Sequence, residues 1–246
     1  MDLDWGWIGE HTDSLTEHSL THLKLALLPV LFGLIISLPL GVACRRWGWL
    51  YPPVLTAANA LYAIPSLALF MIFIQYTGLE PSTVMIPLTL YTLSVLVPNV
   101  VDGLASVSEP VRQAATAMGF GTLRRLLRVE LPIAVPIVIA GVRVAAVSSI
   151  SLVAIGQLIG QGGLGYDIIR GYQLRFQTQI VAASVLIILL ALVTDAILVL
   201  IQRLLTPWTR ARKRSGGSSR RRHPITGAAP PHAVDAGVSS IAGGGG

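Results

Sequence analysis

Charged residues and cysteine are both scarce in this chain. Only 12% of its 246 residues are Asp, Glu, Lys or Arg, whereas 53% are hydrophobic. Soluble domains carry roughly 25% charged residues, so the composition indicates an integral membrane protein. The single cysteine, Cys44, excludes a disulfide within the chain. Residues 1–17 hold five acidic side chains and no lysine or arginine, which is unlike a cleaved signal peptide.

The sequence also lacks the common motifs of nucleotide binding and catalysis. It has no G-x-x-x-x-G-K-[ST], and therefore no phosphate-binding loop of its own, and no H-E-x-x-H. Three glycines in residues 160–165 fit G-x-G-x-x-G, but an apolar helix precedes them where dinucleotide binding needs a strand. His11, His18 and His22 are unevenly spaced, which favours a solvated or interfacial role over a metal site. We therefore predict no catalytic, cofactor-binding or metal-binding residues.

Five apolar stretches are long enough to cross a bilayer as helices. A helical span needs about 20 mainly apolar residues, because hydrocarbon offers no hydrogen-bond partner to the backbone. The stretches are residues 23–43, 54–75, 83–101, 132–155 and 180–201. The third contains Pro87 and Pro98, which we expect to interrupt it. The sequence thus predicts an all-α, polytopic membrane protein with about five transmembrane helices.

Arginine and lysine residues are distributed unevenly among the predicted loops. They follow the first span, precede the fourth and follow the fifth, and with five spans these regions share one side of the membrane. Because positive residues accumulate in cytoplasmic loops, we predict an N-terminus outside and a C-terminus inside. The net charge of +6 is mostly this asymmetry together with a basic tail, and it indicates no nucleic-acid partner.

The composition divides the chain into three regions. We predict an extracytoplasmic N-terminal segment at residues 1–20, a transmembrane domain at residues 21–206, and a disordered basic cytoplasmic tail at residues 207–246. The tail is rich in Arg, Ser and Gly, and it has too little apolar surface to form a core. A solvated tail is favoured over a segment that binds anionic lipid.

A short amphipathic segment lies in the loop of residues 108–131, between the third and fourth spans. Ser108 can cap a helix whose first turn holds an acid and a proline, and Gly119 can end it. Four residues at helical spacing then form one small apolar face: Val111, Ala114, Ala115 and Met118. On periodicity alone, this face fits a groove on a partner protein and a lipid surface equally well.

The same loop, QAATAMGFGTLRRLLRVELP at residues 113–132, resembles the docking loop of ABC-importer permeases. The family pattern is Glu-Ala-Ala, three residues, Gly, nine residues and Ile-x-Leu-Pro, and this chain departs from it at Gln113 and Val129. The resemblance implies a type I ABC importer permease fold, with a loop that engages a separate ATPase. Together with the apolar face, it leads us to assign these residues to docking: Val111, Gln113, Ala114, Ala115, Met118, Gly119, Leu131 and Pro132. A neutral amide at position 113 cannot form the ion pair of a Glu, so we expect altered docking energetics.

Two further stretches, residues 57–70 and 131–165, are similar to the permeases for glycine betaine, carnitine, choline and proline. The resemblance implies a non-enzymatic subunit of an ATP-driven osmoprotectant importer in the bacterial plasma membrane. It also implies three partners: a second permease chain, identical or paralogous; a cytoplasmic ATPase dimer that carries ATP and Mg; and an extracytoplasmic substrate-binding protein. We expect the binding protein to dock at an outer turn, residues 160–172. Alternatives are an amino-acid importer of the methionine type and, in a different class, an ATP-independent channel or membrane scaffold.

Polar residues within the spans are candidates for the translocation pathway, because burying them in lipid is costly. The candidates are Asn59, Tyr62, Ser66, Asn99, Ser149 and Gln157. The first three are spaced three and four residues apart, which predicts one helix face. The alternative for most is a hydrogen bond between helices. For Tyr62, the alternatives are packing and a cation–π contact with a quaternary ammonium group.

Two further patterns concern how the helices pack. Small residues recur every four positions in the first and fourth spans, and this spacing lets membrane helices approach closely. They are Gly33, Ser37 and Gly41, and then Gly141, Ala145 and Ser149. Arg143 lies deep in the fourth span, and we expect it to reach the inner interface or to pair with Asp102.

Overall fold

The computed structural model describes residues 4–207, so the predicted tail lies outside the described residues except for Pro207. Within them the ordered elements are helices, which confirms the all-α prediction. The α-helices are α1 Trp5–Glu10, α2 Thr12–Arg46, α3 Tyr51–Ala63, α4 Ser66–Thr77, α5 Ser82–Ala105, α6 Glu109–Ala117, α7 Thr122–Arg125, α8 Leu131–Val153, α9 Gly165–Gln173 and α10 Gln177–Leu205. Gly48–Leu50 and Ala154–Ile159 are 3₁₀ turns, and Leu126–Glu130 is a π turn.

Four helical segments are long and apolar enough to cross a membrane. They are α2, α5, the continuous run Thr122–Ile159 that contains α8, and α10, and they correspond to the first, third, fourth and fifth predicted spans. At 1.5 Å per residue, the 35 residues of α2 extend about 52 Å, whereas the hydrocarbon core is about 30 Å thick. The helix α2 therefore continues well beyond the hydrocarbon.

The second predicted span, residues 54–75, is sharply bent and is not one continuous helix. The helices α3 and α4 meet at 94° across Ile64 and Pro65. Proline disfavours the helical conformation of the preceding residue, and Ile64 accordingly has an extended ψ of 131°. Neither half, at about 20 Å, crosses a 30 Å core alone. The pair therefore forms a broken span or a re-entrant segment.

The third predicted span contains two prolines, yet it is a continuous helix. Pro87 and Pro98 both lie inside α5, and Pro87 is buried. This helix lies at the centre of the fold, packed by α2 and α8 and also contacted by α3 and α4. Neighbouring helices hold a membrane helix together where proline removes a backbone hydrogen bond. The predicted interruption is therefore wrong, because tertiary packing outweighs the local preference.

The small residues of α2 and α8 lie at helix contacts, as predicted. Gly41 of α2 is buried, and a Cβ placed there would lie 2.8 Å from Cβ of Val100 on α5. Gly141 of α8 faces Asn99 of α5, and a Cβ placed there would lie 2.6 Å from Cγ of that side chain. Only glycine permits helix axes to come this close.

The cytoplasmic end of the bundle has its own apolar cluster, which positions the loop described below. This inner cluster consists of Val100, Leu104, Ala134 and Val138, contributed by α5 and α8. Leu126 of the π turn and Leu131 of α8 pack against it. The loop that connects α5 with α8 is therefore anchored at its far end by apolar contacts.

Candidate functional site

The loop between α5 and α8 contains the short helix α6, Glu109–Ala117, within the predicted boundaries. Ser108 occupies the N-cap position with φ −64° and ψ 146°, but its hydroxyl makes no capping hydrogen bond, so that part of the prediction is wrong. The acid and the proline lie in the first turn as predicted. After Ala117, Gly119 turns the chain with a φ of +81°, a conformation that favours glycine.

The predicted apolar face of α6 is largely uncovered. Met118 is 69% exposed and Val111 is 39% exposed, and Ala114 and the neighbouring Gln113 are exposed as well. Ala115 is 2% exposed, because it lies on the side of α6 that faces the rest of the chain. Ala115 thus supports the helix from beneath, and the other three form a surface that we call the docking face: Val111, Ala114 and Met118.

Two of the predicted docking residues lie at the root of α8. Leu131 packs against the inner cluster, and Pro132 occupies the first turn of α8, directly after the π turn. Both are half-buried. These residues therefore connect the loop to the α5–α8 contact and do not belong to the docking face.

A buried polar cluster beneath α6 was missed by the sequence reasoning. Glu130 ends the π turn and is 8% exposed, and its Oε1 accepts a hydrogen bond from Arg125 Nε at 2.8 Å. The same oxygen lies 3.8 Å from Nε of Arg112, and Nη2 of Arg112 donates to the carbonyl oxygen of Leu104. Nη1 of Arg125 donates to Thr116 Oγ1 at 3.0 Å. One carboxylate thus links α6, α7 and the root of α8. Its signal in the sequence is that Glu130 is the only acid in residues 110–166.

The first three candidate pathway residues do not share one helix face. Asn59 and Tyr62 are exposed on α3, whereas Ser66 begins α4 on the far side of the 94° bend. The prediction assumed an unbroken helix, and the break at Pro65 makes it wrong. Ser66 is therefore separated from the other two by a change of helix direction.

Tyr62 and Ser149 meet at a small cavity that also contacts Tyr91. Its volume is about 10 Å³, whereas small-molecule sites usually occupy about 300 Å³ or more. The Ser149 hydroxyl donates to the carbonyl oxygen of Ala26 on α2 at 2.8 Å, which is a bond between helices. The ring of Tyr62 packs edge-on against Tyr91 at 5.5 Å between centroids. Within one chain, both residues therefore have packing roles.

Asn99 and Gln157 lie in two other places. Asn99 donates from Nδ2 to the carbonyl oxygen of Val95 in its own helix at 2.8 Å. Gln157 lies in an open cleft of about 310 Å³, together with Tyr166 and Arg170 of α9. Within one chain the six candidate pathway residues are therefore dispersed, and their part in translocation stays a prediction.

Arg143 of α8 pairs with Asp195 of α10, and the predicted partner Asp102 is wrong. Nε of Arg143 donates to Oδ1 at 2.7 Å, and Nη2 donates to Oδ2 at 2.9 Å. Such bidentate pairs are among the stronger charge-assisted contacts. Asp195 lies 52 positions away in the sequence, so spacing gave no indication of the pair. It joins the two helices within the spanning region.

Residues 160–172, predicted as an outer turn, are largely helical. They include most of α9, and His22 of α2 is fully buried against this segment. His22 contacts the carbonyl oxygens of Ile150 at 2.9 Å and Gly162 at 3.2 Å. Nδ1 of His18 lies 2.7 Å from a carboxylate oxygen of the buried Asp167. The expectation of solvated or interfacial histidines is therefore wrong for His22, which joins three segments.

The stretch of sequence that forms these spans and the exposed helix α6 matches a known family. Residues 30–211 match the binding-protein-dependent transport system inner membrane component family. This chain belongs to that family. Its members are membrane-embedded permease subunits of ABC transporters, and the ATP is hydrolysed by a separate subunit. The predicted inner-membrane location and the requirement for ATPase and substrate-binding components follow from this membership.

Named relatives cover most of the chain. The glycine betaine/carnitine/choline transport system permease protein OpuCD of Bacillus subtilis (strain 168) is 33% identical over 187 residues, which are 76% of this chain and 82% of the relative. The osmoprotectant import permease protein OsmW of Salmonella typhimurium is 37% identical over 193 residues, which are 76% of this chain and 89% of the relative.

The fold is similar to that of a solved importer. An inward-facing structure of the MetNI methionine ABC transporter aligns with a TM-score of 0.70 and 23% identity, over 80% of this chain and 98% of that chain. At this identity the likeness concerns the fold alone. The prediction of a type I ABC importer permease fold is confirmed.

Proposed function

We propose that this chain forms part of the translocation pathway of an ATP-driven importer for osmoprotectants, such as glycine betaine, choline, carnitine or proline betaine. The substrate class is supported by the two named relatives, OpuCD and OsmW, which are 33% and 37% identical to this chain. The methionine alternative is supported by a likeness of fold, at 23% identity. The relatives therefore favour an osmoprotectant over an amino acid.

The pathway itself is proposed to lie between two permease chains, identical or paralogous. A substrate of this size needs a space of about 300 Å³ or more, and the cavity beside Tyr62 and Ser149 offers about 10 Å³. Asn59 and the ring of Tyr62 are exposed on α3, a polar surface that lipid would cover poorly. A facing chain would enclose this surface and leave water and substrate in contact with it.

The proposed coupling between the ATPase and this chain rests on the exposed docking face of α6. This helix of nine residues presents Val111, Ala114 and Met118 outward on the predicted cytoplasmic side. A short apolar face of this kind fits a groove on a partner protein. The proposed occupant is the cytoplasmic ATPase subunit. Gln113 lies next to the face and offers hydrogen bonds without a charge.

The proposed mechanism is a rigid-body transition between two states. ATP binding closes the ATPase dimer, the two docking helices follow it, and the spans then rearrange around the substrate. Nucleotide shifts the equilibrium because it binds one state more tightly than the other. The outer cleft beside α9, with Gln157 and Arg170, is the proposed contact for the substrate-binding protein.

Uptake of labelled glycine betaine tests the proposed substrate class. Cells with and without this gene are compared at high and low external osmolarity, with unlabelled choline, proline betaine and methionine as competitors. We expect the deletion to remove an osmolarity-dependent component that quaternary amines compete for. Loss of methionine uptake with unchanged betaine uptake would instead support an amino-acid importer. Betaine uptake that persists after ATP depletion would support the ATP-independent channel.

A further inference from the structure

The helix α6, which carries the docking face, buries very little apolar surface against the rest of the chain. Its one buried residue is Ala115, and burying a single methyl group contributes only about 1 kcal/mol. The first glycine after the helix, Gly119, has no atom within 4 Å of the position of a Cβ. A helix held this loosely would slide on the surface when a partner pushes it, unless polar contacts restrain it.

Those polar contacts converge on Glu130. The carboxylate accepts from Arg125 at 2.8 Å and lies 3.8 Å from Nε of Arg112 in α6. The side chains of Glu130 and Arg112 are 10% and 14% exposed, so the charges interact with little screening by water. Nε of Arg112 is buried without a hydrogen-bond partner in the described structure. A small movement of α6 would bring that N–H within bonding distance of the carboxylate.

Glu130 is also continuous with the membrane-spanning helix. It directly precedes Leu131, the first residue of α8, and its backbone is already helical, with φ −72° and ψ −48°. Leu131 packs against the inner cluster of α5 and α8. A displacement of Glu130 is therefore a displacement of the cytoplasmic end of α8. Arg112 in turn donates to the carbonyl oxygen of Leu104 near the end of α5, so both central helices meet at this cluster.

We propose that Glu130 is a positioning residue that transmits movement of α6 to α5 and α8 through its contacts with Arg112 and Arg125. This inference rests on the proposed function, because it requires an ATPase that moves α6. The carboxylate is buried, whereas the docking face is exposed and separate from it. Loss of the carboxylate therefore uncouples ATP hydrolysis from transport while leaving ATPase binding in place.

The test uses the reconstituted transporter with its ATPase and substrate-binding protein, and measures glycine betaine transported per ATP hydrolysed. Glu130→Gln keeps the size of the side chain and removes its charge. Arg112→Gln removes the link from α6 but leaves Glu130 paired with Arg125, so it avoids an unpaired acid. Arg128→Gln is the matched control, because Arg128 is an exposed arginine of the same π turn. Co-purification of the ATPase with each variant measures docking.

We expect the betaine-to-ATP ratio to fall at least tenfold in Glu130→Gln and several-fold in Arg112→Gln, with unchanged ATPase co-purification and an unchanged ratio in the control. If Glu130→Gln does not fold, Arg112→Gln decides the question. Ratios equal to that of the control would overturn the proposal, and so would loss of ATPase binding in both variants, which would make the cluster a structural support of the docking face. Failure of the unmodified transporter to bind an ATPase or to take up betaine would instead refute the proposed function.

Discussion

The ion pair between Arg143 and Asp195 leads to a quantitative prediction about stability. Arg143 lies 12 residues into α8, and Asp195 lies 10 residues before the end of α10, which places the two about 18 Å and about 15 Å from those helix ends. In a hydrocarbon core of about 30 Å, both are close to mid-depth. Either charge alone would therefore be placed where an unpaired charge is most costly.

The depth of the pair sets how much stability is lost when one partner is removed. An unpaired charge at the centre of a membrane helix costs about 2.5–3.5 kcal/mol on insertion scales. The chain itself leaves both side chains about one-third uncovered (34% and 32%), so an unpaired charge can draw in water through a local defect, which reduces the cost towards the lower end. We expect Arg143→Gln and Asp195→Asn each to destabilise the chain by about 2.5 kcal/mol. The double variant leaves no charge, and we expect it to cost less than about 1 kcal/mol.

The assay is a double-mutant cycle on the purified chain in mixed micelles. Increasing denaturing detergent unfolds the protein, and circular dichroism reports the loss of helix, from which the free energy of unfolding is obtained. The predicted result is strong non-additivity, because the two single costs sum to about 5 kcal/mol while the double variant costs about 1 kcal/mol. Single costs below about 0.5 kcal/mol that add up to that of the double variant would refute the reasoning, since the pair would then have no energetic role.

Two further predictions use the same unfolding assay. Gly41→Ala should cost about 1–3 kcal/mol through overpacking, since its Cβ would lie 2.8 Å from Cβ of the fully buried Val100. Gly48→Ala is the control, where a Cβ meets nothing within 4 Å, and equal costs at the two sites would contradict the close helix contact. His22→Phe removes polar contacts to two carbonyl oxygens and should cost about 1–3 kcal/mol for buried groups left unpaired. An unchanged unfolding free energy would show that the bonds of His22 contribute nothing to stability.

The spans were predictable because the length of an apolar stretch is enough to identify a membrane-spanning helix. Four of the five predicted segments are membrane-length helices. Two prolines differ in their effect. Pro65 breaks the helix that was predicted to carry Asn59, Tyr62 and Ser66 on one face, whereas Pro98 lies inside a continuous helix where an interruption was predicted. Local preference is the same at both sites, and the difference is the packing of α5 between α2 and α8, which only the folded structure contains.

The docking helix was also largely predictable, because its signals are local. The residues at its start, the spacing of its apolar face and Gly119 at its end lie within 12 positions of each other. The burial of Ala115 was not predictable, since the apolar face continues onto the side that the chain itself covers. The same limit explains the missed polar cluster. Arg112 and Glu130 are 18 positions apart and approach only because the chain reverses at Gly119.

Contacts between residues far apart in the sequence account for the remaining differences between the predictions and the structure. Arg143 meets Asp195 over 52 positions, and His22 meets Gly162 over 140 positions. A single sequence shows each of these residues as an isolated polar group in an apolar helix, with several possible partners. Their pairing depends on which helices are neighbours. The positions of the candidate pathway residues relative to one another were not predictable for the same reason, since no helix period relates α3 to α8.

Coupling through the docking face is the central claim, and one substitution tests it directly. Met118 and Leu174 are both C-cap residues of nine-residue helices, α6 and α9, and are 69% and 63% exposed. Met118→Lys places a charge on the docking face and is compatible with the helix dipole, and Leu174→Lys is its matched control at the opposite end. We measure ATP-dependent betaine uptake into proteoliposomes that contain the ATPase and the binding protein. The account predicts that Met118→Lys loses at least nine-tenths of the uptake together with ATPase binding, while Leu174→Lys retains ATPase binding. Full uptake by Met118→Lys would contradict it.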